Sequence, residues 1–282
     1  MGDARELSIT GYIKLIGEFH ARGYEVVDFL TATPELRHLL LRHDVDMCLQ
    51  RALKLAEAEA ELGVRASHFV LINTEMYNVA SQAGRASLRR LYELGHDVGL
   101  HFDGAHVREG DLATLTRDVD LECNILEMQT GRPVRVVTFH RPATWLMGHA
   151  TSLSGRLHAY QPCYFECMGY CSDSAGAFRY HHPLEHPAVR EGRALQLLTH
   201  PVWWVAAPDD SAFGKLARFG RERDGEIGRK LAARCPFMPG VSVDLCSLCF
   251  GEFDEHVCQS IVNLSGSEMF PEGANGIVRE LN

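Results

Sequence analysis

The chain has 282 residues, 46% of them apolar and 23% charged, a balance that fits one large α/β domain with a sizeable buried core. Its formal net charge of -9 offers nothing to a nucleic-acid backbone or an anionic membrane surface, and no stretch is apolar for long enough to span a bilayer. Asp3, Arg5, Glu6, Lys14, Glu18 and Arg22 interrupt any apolar run near the start, so no secretory signal is read and the expected setting is cytoplasmic. The 9 cysteines, odd in number and without an export signal, are expected as reduced thiols.

Residues 9–22 carry Ile9, Tyr12, Ile13, Ile16 and Phe19 at helical spacing, and Gly23 fits the helix stop. A short extended segment over 24–30 follows, and Pro34 breaks the chain. The apolar run Leu39-Leu40-Leu41 then predicts a strand that ends in Arg42-His43-Asp44-Val45-Asp46. Alternation along an extended segment points Asp44 and Asp46 the same way. Two such carboxylates repel unless a cation or a shared proton lies between them; an N-cap aspartate in a solvated turn is the alternative.

Residues 49–62 form the next predicted helix, closed by Gly63, with Glu57, Glu59 and Glu61 expected on a solvated face. A buried strand over 66–72, a helix over 88–94 stopped by Gly95, and a strand over 98–102 come next. A long amphipathic helix over 112–128 ends at Gly131, and a β-branched strand over 134–139 runs into His140-Arg141-Pro142. This strand–helix–glycine rhythm argues for a parallel sheet or barrel. From 144 to 191 the pattern loosens into turns and short strands. Residues 194–198 are apolar and run into Thr199-His200-Pro201-Val202-Trp203-Trp204. A basic surface helix is expected over 213–233, and the signals after Cys235 are mixed. A single domain over 1–282 is expected, with a C-terminal extension from about 209.

Several motifs are discounted. Cys163, Cys167 and Cys171 miss the radical-enzyme cluster spacing. Cys246-x-x-Cys249 with His256 and Cys258 has zinc-like spacing, yet half-buried reduced thiols are the expectation. His181, His182 and His186 are expected as exposed loop residues.

Four apolar strands end in His, Asp or Arg: Leu39 to Asp46, Val98 to Asp103, Val134 to Arg141 and Leu195 to His200. In a barrel these ends converge on one rim, where unpaired charges are costly and a divalent ion would satisfy them together. Mixed His and carboxylate donors suit Zn2+ better than calcium, and three protein ligands leave a position for water. Such a water becomes a nucleophile near neutral pH.

The same residues, in the same order over about 38–204, resemble the polysaccharide deacetylase family of metal-dependent sugar N-deacetylases. Asp44 and Asp46 fill the first motif, with one residue between them where the common form has none. Gly95-His96-Asp97-Val98-Gly99-Leu100-His101 matches the second, Arg141-Pro142 the third, Asp173 within Ser172-Asp173-Ser174 the fourth and Leu198-Thr199-His200 the fifth. The resemblance implies a distorted (β/α)7-type barrel, one divalent metal held by Asp46, His101 and a second histidine, and Asp44 as base. It further implies Arg141 orienting Asp44, and His200 as acid buttressed by Asp173. The family places its second metal histidine four residues after the first, where this chain has Ala105. His140, His106 and Asp103 are the candidates; the pairing of His-Asp-Val-Asp with His-Arg-Pro favours His140. Trp145, Trp203 and Trp204 are expected either to wall a sugar-sized pocket or to fill the core. The expected activity is removal of an acyl group, N-acetyl first, from an amino sugar, nucleotide sugar or glycan precursor. The alternatives are a deacylase of a non-sugar amide and a silent fold-mate that binds carbohydrate or a partner.

Overall fold

The structure is a computed structural model that describes residues 6–207 and 211–234. The chain divides into two compact units, Met1–Asp209 and Asp210–Asn282. In the second unit the described residues form one helix, Ala212–Arg234, close to the expected 213–233. Cys246, Cys249, His256 and Cys258 lie outside the described residues. No helix among the described residues is long and apolar enough to cross a membrane.

The first unit is an α/β distorted (β/α)7-type barrel. Its strands are β1 (Glu25–Val27), β2 (His38–Val45), β3 (Ser67–Val70), β4 (Asp97–Asp103), β5 (Val136–His140), β6 (Leu157–His158), β7 (Gly169–Ser172) and β8 (Leu195–Thr199). They pair in parallel in the order β6-β5-β4-β3-β2-β8-β7, with β1 added beside β2. The curl stays open between β6 and β7, and Tyr160 and Phe165 pack their rings on Tyr170 there, 6.4 and 5.5 Å away.

The helix α1 (Ile9–Ala21) precedes β1, and α2 (Leu49–Glu61), α3 (Gln82–Glu93) and α4 (Leu112–Thr130) connect β2, β3, β4 and β5 in turn. Three of these four helices start at a side-chain cap. Ser8, Ser81 and Asp111 accept hydrogen bonds from backbone N–H groups of the first turns of α1, α3 and α4, which satisfies donors with no helical partner. Gly131 ends α4 at φ 66°, a conformation glycine adopts without steric cost. The start of α3 precedes the expected 88. Its first turns carry little apolar periodicity, and Gly84 lies where an added Cβ would stand 2.2 Å from the Asn78 carbonyl oxygen.

Strand register decides which residues share a face. Asp44 pairs with Phe69, Phe69 with Gly99, His101 with Thr138 and Asp103 with His140. Arg42 pairs with Leu198. Because alternate residues share a face, Arg42, Asp44, Phe69, His101, Thr138, His140 and Gln196 point into the barrel. An added Cβ at Gly99 would stand 2.4 Å from the Phe69 ring, so a bare backbone lets that ring fill the interior beneath His101. The opposite face, including His43 and His68, packs under the helices. Tyr12, Leu15, Ile16 and Phe19 of α1 and Ala52, Leu55 and Ala56 of α2 are buried. Glu59 is wholly buried with them, contrary to its expected place on a solvated face. It follows Ala52, Leu55 and Ala56 at helical spacing, so it belongs to their stripe.

Candidate active site

The C-terminal ends of β2, β4, β5 and β8 bring polar side chains to one mouth. His101, near the end of β4, sets its Nε2 3.2 Å from Asp46 Oδ1. His140, the last residue of β5, sets its Nδ1 3.5 Å from the same oxygen. All three donor atoms lie within 4.8 Å of one another. Atoms bound about 2.0–2.1 Å from a tetrahedral zinc stand roughly 3.4 Å apart, so these spacings match two edges of such a site. Asp46 Oδ1 is buried and has no hydrogen-bond partner, although two ring nitrogens face it. Donors that crowd together without bonding one another suit a shared cation. On the far side of the ring, His101 Nδ1 lies 2.6 Å from Thr138 Oγ1; donation from Nδ1–H leaves the Nε2 lone pair for an ion. Together with the carboxylate, the two imidazoles fit Zn2+.

His106 and Asp103 are elsewhere. His106 is half exposed and pairs with Asp118 at 2.9 Å, and Asp103 accepts from the Ala105 N–H and from Arg141. The structure therefore brings His140, rather than these two, to Asp46 and His101.

Asp44 lies beside the cluster, its Oδ2 3.7 Å from His101 Nε2. Arg141 does not reach it. The Arg141 side chain is 74% exposed and its Nη2 lies 3.3 Å from Asp103 Oδ2. Its backbone φ is 49°, a left-handed conformation uncommon outside glycine. The arginine at Asp44 is Arg42, which donates from Nε to Oδ1 at 2.9 Å and from Nη2 to Oδ2 at 2.7 Å. Both side chains are buried. Nη2 also donates to the Tyr160 hydroxyl at 2.9 Å and Nη1 to Gln196 Oε1 at 3.3 Å, so the buried guanidinium is well supplied with acceptors. Burial alone would raise the Asp44 pKa, but the Arg42 charge outweighs it and holds the carboxyl below its usual range. Sequence reasoning passed over Arg42; the signal was its two-residue spacing from Asp44 on one strand.

His200 follows β8 and sets Nε2 3.8 Å from Asp46 Oδ2. Its Nδ1 lies 2.6 Å from Asp173 Oδ1, and its backbone N–H also donates to Asp173. Asp173 is fully buried and accepts from Trp204 Nε1 at 2.7 Å. Burial opposes the His200 charge, but Asp173 more than offsets it and the pKa is pushed up to about 9. Asp46 is held well below the usual carboxylate range, its burial outweighed by the His101 and His140 imidazoles that face it and by the charge of His200.

Trp203 and Trp204 are core residues, and Trp204 packs its ring on Tyr12 at 5.3 Å. Trp145 is half-buried, 6.3 Å from His149. Among the described residues Cys163, Cys167 and Cys171 enter no disulfide; the first two lie in a short π-helical turn, Cys163–Cys167, and Cys171 Sγ donates to the His181 carbonyl at 3.4 Å. His186, expected to be exposed, is buried and accepts from the Ala188 N–H.

No protein-family model matches the chain, and no curated protein matches it. Among solved structures, a family 4 carbohydrate esterase from Bacillus anthracis is 16% identical, with 75% of this chain and 86% of that chain covered and a TM-score of 0.38. A family 4 acetyl xylan esterase from Clostridium thermocellum, in complex with a cobalt ion, is 13% identical over 66% of this chain and 84% of that chain, with a TM-score of 0.37. A CE4 family pseudoenzyme from Bacillus anthracis is 10% identical over 67% of this chain and 62% of that chain, with a TM-score of 0.38.

Proposed function

We propose that the chain is a metal-dependent amide hydrolase that removes an acyl group, N-acetyl first, from an amino sugar, nucleotide sugar or glycan precursor. The observation that carries this reading is the gathering of Asp46, His101 and His140, with Asp44 3.7 Å from His101 and His200 3.8 Å from Asp46. The five motifs and this cluster all fall within residues 38–204, which we take as the catalytic core. The preference for an amino sugar over other amides comes from the order of those motifs.

A divalent ion held by Asp46, His101 and His140 would polarise an acyl carbonyl and lower the pKa of a water toward neutrality. Asp44 is ionised and fixed by Arg42, yet each carboxylate oxygen keeps a further lone pair. It therefore accepts the water proton as the oxygen attacks the acyl carbon. His200 carries its proton at neutral pH because Asp173 favours the imidazolium, and Nε2 delivers that proton to the departing amine nitrogen. Asp173 is itself held by Trp204, so the imidazole turns little. The products are a carboxylic acid and a free amine.

The test is acyl release across a panel of N-acetylated sugars, nucleotide-linked sugars and non-sugar amides. Release from at least one sugar, abolished by Asp44→Asn and by a chelator, is expected. Release only from non-sugar amides rejects the substrate class. Release that survives Asp44→Asn rejects the base. A metal-loaded chain inert on the whole panel favours a silent carbohydrate- or partner-binding role.

A further inference from the structure

The opposite face of β2 carries a second set of donors. His43 and His68 are neighbours in the register of β2 and β3, their rings 4.6 Å apart, and Glu59 of α2 reaches down between them. Both histidines and Glu59 are fully buried. His43 Nε2 lies 2.7 Å from Glu59 Oε1, and His68 Nε2 lies 3.5 Å from Glu59 Oε2. One donor atom from each residue lies within 4.8 Å of the other two.

Hydrogen bonding accounts for half of this cluster. Glu59 Oε1 accepts from the Tyr12 hydroxyl and faces His43. The Nδ1 of His43 lies 2.7 Å from Thr199 Oγ1. His96 is satisfied, with Nδ1 accepting from the Ala66 N–H and Nε2 at 2.9 Å from the Ala56 carbonyl. Glu59 Oε2 and both ring nitrogens of His68, however, have no hydrogen-bond partner. A buried carboxylate oxygen and a buried imidazole left unpaired are each costly, and they face each other here across the gap seen between His140 and Asp46.

We propose that His43, Glu59 and His68 form a second, buried site for a zinc-like divalent cation, separate from the mouth of the barrel. Two imidazoles and one carboxylate are a donor set that zinc accepts. Thr199 against His43 Nδ1 and Tyr12 against Glu59 Oε1 are the outer hydrogen bonds that orient metal ligands elsewhere. The site ties α2 to β2 and β3, directly behind Asp44, so its role is structural. It does not depend on the reaction assigned to the mouth.

Metal content of the full chain, purified without chelator, tests this by elemental mass spectrometry. Two equivalents of metal per chain are expected in the wild type, one in Glu59→Gln, one in His101→Asn/His140→Asn, and none in the triple variant. One equivalent that Glu59→Gln loses and the double variant keeps supports the buried site and removes the ion at the mouth. At most one equivalent, kept by Glu59→Gln, overturns the proposal. If Glu59→Gln does not fold, the double variant decides: a zinc-edge anomalous peak between His43 and His68 in its crystals supports the site, and empty protein, or a peak elsewhere alone, overturns it. In wild-type crystals, anomalous scattering at the zinc edge is expected to show a peak between His43 and His68.

Discussion

Arg42 grips Asp44 from two residues upstream on the same strand, with both carboxylate oxygens bonded to one guanidinium inside the barrel. The consequence is a division of labour between two arginines. Removing Arg42 leaves a buried, unpaired carboxylate, which costs about 3–5 kcal/mol. Arg42→Met is therefore expected to lower the urea midpoint markedly and to reduce kcat/KM by roughly 10²–10⁴, the scale of a misplaced general base. Arg141→Ala is expected to leave the urea midpoint unchanged, since its side chain reaches only Asp103 from an exposed position. Equal loss of stability in the two variants would contradict this assignment.

At the mouth, three residues competed for the place beside Asp46 and His101, and only His140 faces them. His140→Ala is expected to release one equivalent of metal per chain, or to weaken its binding at least about tenfold. His106→Ala is expected to leave metal content unchanged. Metal titration followed by elemental analysis separates the two, and loss in His106→Ala with retention in His140→Ala reverses the ligand assignment.

The pairing of His200 with Asp173 sets an alkaline limit. With its pKa at about 9, the imidazole keeps its proton through neutral pH, and acyl release should fall as pH rises through that value. Asp173→Asn removes the charge that raises it, so the alkaline limb of the kcat/KM profile should move to lower pH. The sign for stability is the same. A raised folded pKa stabilises fully below the ordinary 6.5 and the contribution is lost as pH climbs through about 9. An unmoved limb in Asp173→Asn would assign the acid to another group.

His158 acts in the opposite pH direction. It is fully buried beside Phe139, and burial pushes its pKa down to about 4. Between 6.5 and about 4 the unfolded chain binds a proton that the folded chain refuses, so stability falls as pH falls. The full effect of the shift is roughly 3 kcal/mol. His158→Leu, of similar size, is expected to flatten the loss of stability between pH 7 and 4.5 by up to one proton's worth of slope in urea melts. An unchanged slope would mean that the ring is not held neutral.

Much of the barrel was legible because its strands are short apolar runs and its helices stop at glycines such as Gly63, Gly95 and Gly131. The strand ends were legible too, since four apolar runs that finish in His, Asp or Arg meet at one rim in a barrel. What escaped was set by contacts distant in sequence. β6 has two residues and β7 four, too short for any period to register, and their neighbours in the sheet decide them. Arg42 was hidden by the resemblance, which drew attention to Arg141; strand alternation alone would have put it beside Asp44. Glu59 was assigned to water by its charge, although its spacing from Ala52, Leu55 and Ala56 pointed inward.

His43 and Asp44 are adjacent in the chain and face opposite sides of β2. A one-residue slip of that strand would carry the carboxylate under the helices and swing the imidazole into the barrel, exchanging the two chemistries at a stroke. A single insertion or deletion between 38 and 46 would therefore dismantle both sides of the sheet at once.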